Sequence, residues 1–466
     1  MIFYNIRILR RFRLNHQEHK AILSAALVSM LEFYDFIIFG FMVINLARNI
    51  FQHQLILTLS VGSMFAIFML GYTLRLLGMY LYSKVAARYS PNWIMSIITL
   101  LLILAASTLA LVPLSANIAI PLTIISLARL IQGLAGGADM QAANNHLARY
   151  LAHKSGIAVF GILAGAELGQ LLGVFSNRLL SSMFSHAQME LFGWRLAFLS
   201  CALLALLVQL LRYCLRTKSL SVLQSVNPPR RRQIIPSYKL FSYYPHQTTI
   251  ALILSGMKGC TTFVFLIFIP FGLYYTLKLD YATIAKVIFM ASLISIAASA
   301  VLNYYLTFNN ARRIMGYCIL LLAPSILFWT WAFSHHRLML LSILPLAILA
   351  NFFSLLVPRL TLGLFPAPMR LAGVTFSYHY GFIVFGGVAP LVNGILAYII
   401  HHYLNPNLNP SLVFYWCSAA YILVISALSL LALAKLNNYA NYQELNAISR
   451  KLRQKRHARY QQPTQR

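Results

Sequence analysis

Apolar residues along this chain come in long runs rather than in alternation. Twelve runs are long enough to cross a hydrocarbon core of ~30 Å, which takes about 20 apolar residues in a helix. They fall at residues 21–47, 55–82, 94–114, 117–148, 157–180, 193–215, 249–277, 283–307, 313–334, 338–364, 369–400 and 412–435. Most connections are very short. The exception is 216–248, a basic stretch with Pro228, Pro229 and the Arg230, Arg231, Arg232 run, and it divides the spans six and six. The pattern predicts an all-α polytopic membrane protein with twelve transmembrane helices in two six-helix bundles. Its expected parts are a basic N-terminus (1–20), a first bundle (21–215), a central loop (216–248), a second bundle (249–435) and a basic tail (436–466). Bundles arranged this way are related by an axis along the membrane normal and bind substrate between them.

Composition removes the alternatives. Of 466 residues, 60% are hydrophobic and only 10% charged, against roughly 25% charged in a soluble domain; mean hydropathy is +0.72. A soluble globular enzyme is excluded. The net charge of +29, from 37 Lys+Arg against 8 Asp+Glu, would suggest nucleic acid in a soluble protein. Here the basic residues gather on one side of the predicted spans. Arg7, Arg10, Arg11, Arg13 and Lys20 precede span 1, Arg230 to Arg232 and Lys239 lie between spans 6 and 7, and Arg450, Lys451, Arg453, Lys455 and Arg456 lie in the tail. By the positive-inside rule both termini are then cytoplasmic. The bilayer accounts for the charge, and no nucleic-acid partner is expected. Apolar residues 21–47 are too long for a signal-peptide core of ~7–15 residues and read as the first span. The five cysteines form no disulfide or metal pattern, and no cofactor is expected.

A charge in hydrocarbon costs ~2.5–3.5 kcal/mol even on the lenient insertion scale, so each ionisable residue inside a span is a functional candidate. Half of the acids qualify: Glu32, Asp35, Asp139 and Glu167, whereas Glu18, Glu190, Asp280 and Glu444 are expected in loops or tails. Glu32 and Asp35, three apart, share one helical face, and Arg129 on span 4 is their candidate counter-ion. Such a group either carries a proton or ties span 1 to span 4 as a static ion pair. Asp139, near the cytoplasmic end of span 4, either gates or pairs with basic loop residues. Glu167, in GAELGQLLG, either lines a central cavity or hydrogen-bonds a neighbouring helix. Lys258, an isolated cation on span 7, either faces a cavity, where it attracts a substrate carboxylate, or snorkels to the interface. His379 lies between Tyr378 and Tyr380 in span 11 and either meets substrate or is satisfied in the core. His335/His336 and His401/His402 read as interfacial. Glycines crowd spans 4, 5 and 11, where helices approach closely. Nothing points to an enzyme: there is no nucleophile elbow, phosphate-cradling loop or HExxH pair.

These residues resemble the metabolite:proton symporter family of the major facilitator superfamily, which includes proline/betaine and organic-acid transporters. LEFYDF at 31–36 is similar to the family's span 1 signature, and LARLIQGLAGGAD at 127–139 to its span 4 stretch, with Asp139 where a glutamate is usual. GWR at 193–195 and RLAGVTFSYHYGFIVFGGVAPL at 370–391 match its span 6 and span 11 patterns. The resemblance implies the major facilitator fold and proton-coupled import of a small polar metabolite by alternating access, in a bacterial inner membrane. It implies proton coupling at Glu32, Asp35 and Arg129, gating at Asp139 and Arg88, and a substrate cavity drawn from Glu167, Lys258, His379 and Tyr378. The partners are then a small-molecule substrate, protons and the bilayer. The segment between spans 2 and 3, GMYLYSKVAARYSPN, departs from the superfamily pattern GxLxDRxGRR. It keeps Gly78 and Arg88 but has Ala87 at the aspartate position and Pro91 and Asn92 at basic ones. That departure keeps two rivals open, a proton-antiporting exporter and a non-transporting sensor. Residues 436–466 lack the apolar heptads of the coiled coil found in some osmosensing relatives.

Overall fold

The computed structural model describes residues 14–51, 57–86, 88–115, 117–151, 155–215, 240–270, 273–274, 279–306, 308–335, 338–366, 369–400, 403 and 410–439. No strand occurs among them. Ala87, His336, His401, His402, the basic residues before 14 and after 439, and most of the central loop lie outside the described residues.

Twelve helices are long and apolar enough to cross a membrane. In the first half they are α1 (His16–Phe51), α2 (Leu57–Val85), α3 (Pro91–Ala110), α4 (Ala119–Leu151), α5 (Ser155–Met183) and α6 (Trp194–Cys214), the last entered through a π turn at Met189–Gly193. In the second half α7 (Pro245–Phe263) runs into a π segment, Val264–Phe268, and is followed by α8 (Tyr281–Tyr305), α9 (Phe308–Ser334) and α10 (Met339–Leu362). α11 consists of Arg370–Gly381 and Ala389–Ile399 joined by a π segment at Phe382–Gly387, and α12 is Pro410–Tyr439. Successive spans alternate in direction, so both described ends of the chain lie on one side, termed here the terminal face.

Local chemistry sets the ends. Ser90 caps α3 by accepting from the Trp93 amide ahead of Pro91, and Asp280 caps α8 by accepting from Thr283; both follow the usual preference for short oxygen side chains at N-caps. The first span is longer than expected, because the polar turn His16–Lys20 continues the helix below the apolar run. Span 11 is not one uninterrupted α-helix. Its FGG sequence is wound as π-helix, a rare geometry concentrated at functional sites. Glu190, expected in a loop, sits in the π turn before α6 and pairs with Arg48 at the end of α1.

The two halves are packed separately and then against each other. In the first, α1 lies on α5 and α6, α2 on α4, and α3 on α4 and α6. In the second, α7 lies on α10, α11 and α12, α8 on α10, and α9 on α10 and α12. Between halves, α5 meets α8, and α2 and α4 meet α11. α1 and α7 are innermost, whereas leucines such as Leu104, Leu203, Leu210 and Leu431 are exposed, as a lipid-facing surface requires.

Glycine spacing explains the closest seams. Gly161, Gly165, Gly169 and Gly173 recur every fourth residue on α5, and a Cβ at Gly165 or Gly169 would overlap the carbonyl of Ala26 or Met30 on α1. On the α2–α4 seam a Cβ at Gly133 or Gly137 would overlap the carbonyl of Gly71 or Arg75. Small residues at such spacing let backbones touch.

Candidate functional site

The α2–α4 seam determines where two arginines end up. Arg75 lies four residues beyond Gly71 and Arg129 four before Gly133, and with the backbones in contact both guanidiniums reach the same stretch of α1. Arg129 pairs with Asp35 at 3.2 Å, and Gln132 donates to the other carboxylate oxygen at 2.8 Å. Arg75 pairs with Glu32. The expected single counter-ion is thus two. Glu32 and Asp35, on neighbouring parts of one face, each hold their own arginine, from α2 and α4 respectively.

Aromatic rings line this core. Arg129 lies over the Phe39 ring at 3.4 Å and Arg75 over the Tyr72 ring at 4.0 Å, both within cation–π range. Glu32, Asp35, Arg75 and Arg129 are all buried. They surround a cavity of about 20 Å³, the size of one water. Glu32 Oε2, the Tyr72 hydroxyl, Arg75 Nε and two nitrogens of Arg129 have no hydrogen-bond partner among the described residues. A network with spare donors and acceptors around a small polar space has room to rearrange its protons, which a fully satisfied pair lacks.

Glu32 also faces the second half. His379 Nδ1 on α11 lies 3.8 Å from Glu32 Oε1, and His379 Nε2 is buried without a partner. His379 is therefore neither a satisfied core histidine nor on the cavity described next. Tyr378 packs on Phe382, ring centroids 4.6 Å apart, and likewise stands apart from that cavity. The aromatic residues of the LEFYDF segment complete the contact: Phe33 meets Phe382 edge-on at 6.0 Å and Phe36 meets Phe263 at 5.0 Å.

A second ion pair crosses the interface between the halves. Lys258 Nζ on α7 lies 3.2 Å from Glu167 Oε1 on α5. The Lys258 side chain is 2% exposed and that of Glu167 27%, because Glu167 borders a cavity also lined by Gln170, Thr262, Ser292 and Asn351. Lys258 is thus neither lone nor snorkelling, and Glu167 is not isolated. Gln170 Nε2 and Thr262 Oγ1 point inward without partners among the described residues. The halves also touch on both sides of this cavity. Toward the terminal face Asn144 on α4 donates to Thr375 on α11 at 2.5 Å; toward the opposite face Arg48 lies 5.2 Å from the Tyr274 ring centre. The cavity, of about 20 Å³, lies between these two levels.

The gating candidates fare differently. Asp139, expected to cap or pair with loop cations, is buried, and neither carboxylate oxygen has a hydrogen-bond partner among the described residues. It lies two turns beyond Gln132 and so faces the same bundle interior. Arg88 is in the exposed turn after α2, and its side chain forms no ion pair among the described residues. Sequence reasoning overlooked Arg75, Gln132, Gln170 and Asn351. Arg75 carried a readable signal, a cation inside an apolar run, and Gln132 stood in the LARLIQGLAGGAD stretch; Gln170 and Asn351 carried none. No group of three metal-ligating side chains occurs among the described residues.

With this geometry in place, the similarities to known proteins fall into one pattern. The profile of the Major Facilitator Superfamily matches residues 25–390. The chain is 21% identical over 384 residues to a protein named putative proline/betaine transporter from Staphylococcus haemolyticus, covering 81% of each. It is 25% identical over 439 residues to the citrate-proton symporter of Klebsiella pneumoniae, covering 86% of this chain and 89% of that one. Among solved structures it superposes on a D-xylose-proton symporter with a TM-score of 0.69 at 18% identity, over 88% of this chain and 97% of the other.

Proposed function

The chain belongs to the Major Facilitator Superfamily, and from that premise we propose that it is a proton-coupled symporter importing a small polar metabolite, a carboxylate or a zwitterion, by alternating access. Its twelve apolar helices make it a multi-pass membrane protein. We place it in a bacterial inner membrane, as its similarity to bacterial transporters suggests, with both termini cytoplasmic from the distribution of its basic residues.

One observation carries the reading: two buried carboxylates, each paired to its own arginine, one of them also facing a histidine across the interface between halves. An acid whose partner sits on the other half has its electrostatic surroundings changed whenever the halves separate, and that is what coupling a proton to alternating access requires. Asp35 and Glu32 take and release the proton. Arg129 and Arg75 stabilise the ionised forms, and His379 ties Glu32 to the position of α11. The relatives named as proline/betaine and citrate-proton transporters favour the same substrate classes.

Lys258 and Glu167 are the substrate contacts. When the halves part and this space, which here admits about one water, widens, a substrate carboxylate takes the place of Glu167 beside Lys258. Glu167, no longer paired, is neutralised by a proton or by the cationic group of a zwitterion, so the site's charge stays balanced in either case. Gln170, Asn351, Ser292 and Thr262 supply neutral hydrogen bonds that select among such molecules. Gating falls to contacts at the ends of the cavity, with Asp139 and Arg88 acting at the terminal face.

The test is uptake into proteoliposomes under an imposed pH gradient, acid outside, with proline, betaine, dicarboxylates, citrate and aromatic acids. Accumulation of one compound in the wild type and none in Asp35→Asn supports the reading. Equal accumulation in both removes Asp35 from proton coupling, and specific binding with no flux favours a sensor.

A further inference from the structure

A cavity of about 190 Å³ opens within the first half at its terminal-face end, away from the interface between halves. Lys20 and Ser24 of α1, Ser96 of α3, His146 of α4, and Gln209 and Arg212 of α6 line it. Among the described residues none of the second half contributes, so the transport reading neither needs nor explains it.

Its inner wall is a buried guanidinium. Arg212 donates through Nη1 to the Thr99 hydroxyl at 2.9 Å and the Met95 carbonyl at 3.1 Å, and through Nε to Ser24 at 3.4 Å. These neutral contacts orient it without cancelling its charge. No carboxylate lies within ion-pairing distance of Arg212 or Lys20 among the described residues. Asp139, the buried acid of α4, does not line the cavity. Two cations, an imidazole and several hydroxyl and amide groups thus converge on a space open to one side, a donor set suited to a compact, multiply bonded anion.

The mouth lies at the level of a membrane interface. Lys20, Asn92 and Leu215 sit at the ends of their helices. Nearby Tyr89 and Trp93 are exposed and stacked at 4.3 Å, and Tyr213 at the rim is exposed, as belongs to an interfacial aromatic belt. We propose that this cavity binds a phosphate group, held by Arg212 and Lys20 with His146 and the polar residues around them. The same chemistry is offered by an anionic lipid headgroup and by soluble phosphate. Occupancy bridges the terminal ends of α1, α3, α4 and α6 and stiffens the first half.

The test uses thermal unfolding of the purified full-length chain in two arms. In detergent, inorganic phosphate is titrated at constant ionic strength; in nanodiscs, phosphatidylcholine alone is compared with phosphatidylcholine containing phosphatidylglycerol. A rise in Tm with phosphate assigns a soluble anion, and a rise confined to phosphatidylglycerol assigns a lipid headgroup. Lys20→Gln and His146→Gln each weaken the response, the former by about tenfold in apparent affinity, as loss of one charge-assisted hydrogen bond implies. Lys286→Gln, exposed on α8, leaves it unchanged. No Tm rise in either arm, or an undiminished one in both cavity variants, overturns the proposal.

Discussion

Glu32 on α1 and His379 on α11 meet across the interface between the two halves, carboxylate oxygen to imidazole nitrogen at 3.8 Å, with both side chains buried. Among the described residues, Lys258–Glu167 is the other ion pair between the halves, and the Glu32–His379 contact also touches the Arg75 pair. A change of protonation at either residue therefore acts directly on the separation of α1 from α11.

His379→Gln keeps a hydrogen-bonding group at this contact but removes its ability to carry charge. With the imidazole beside Glu32 replaced by an amide, a change of protonation at Glu32 no longer reaches α11 in the same way, and proton:substrate coupling is expected to weaken while the protein stays folded. Lumenal acidification per substrate taken up checks this. A ratio equal to wild type leaves His379 with a packing role only.

The Glu32–Arg75 pair gives a charge-balance test. Removing one partner of a buried pair leaves an uncompensated charge at a cost of about 3–5 kcal/mol, whereas removing both is close to neutral. Arg75→Gln alone is expected to lower Tm strongly, and Glu32→Gln/Arg75→Gln to restore most of it while abolishing coupled uptake. If the double variant is as unstable as the single ones, the pair is not what holds α1 to α2.

The α2–α4 seam gives a steric one. A Cβ at Gly133 overlaps the Gly71 carbonyl, but a Cβ at Gly136 meets only the Arg75 guanidinium at 3.6 Å, an ordinary contact. Gly133→Ala should cost about 1–3 kcal/mol of stability, the usual range for overpacking, and impair transport by pushing both arginines away from α1. Gly136→Ala should be tolerated. Paired Tm and uptake measurements decide it.

At the α8 cap, the hydrogen bond from Thr283 holds the Asp280 carboxyl below the usual carboxylate range. A depressed carboxyl contributes stability above its unfolded-state pKa and loses it as pH falls through the folded-state value. Asp280→Ala is therefore expected to lower stability near neutral pH by about 0.5–1 kcal/mol, the low end of N-cap values because the site is exposed. The difference should shrink as pH drops below ~4, the ordinary carboxylate range. Melting curves of both proteins at pH 7 and at about pH 2.5, below the ordinary carboxylate range, show it.

The twelve spans were legible because a hydrocarbon core imposes a length and an apolar composition that few other structures share. The four intramembrane acids were legible for the same reason, each being an expensive exception. What the sequence withheld was rotation. Periodicity does not say that Lys258 turns toward Glu167 rather than toward the bilayer, nor that Glu32 takes Arg75 and leaves Arg129 to Asp35. The two arginine pairings depend on how closely α2 approaches α4, which Gly71 and Gly133 decide jointly over 62 positions of separation. Arg75 was as legible as Arg129 and Lys258, a cation inside an apolar run; its partner was not, because helix rotation decides which acid it meets. The π segment of α11 was hidden in a glycine-rich run that reads equally well as an ordinary helix.

The most direct measurement is of the proton itself. With the transported compound identified, a pH-sensitive dye trapped in proteoliposomes reports lumenal pH when that compound is added outside, with no imposed gradient. Symport predicts lumenal acidification that depends on substrate and disappears in Asp35→Asn. Lumenal alkalinisation, or substrate entry with no pH change, would contradict the account.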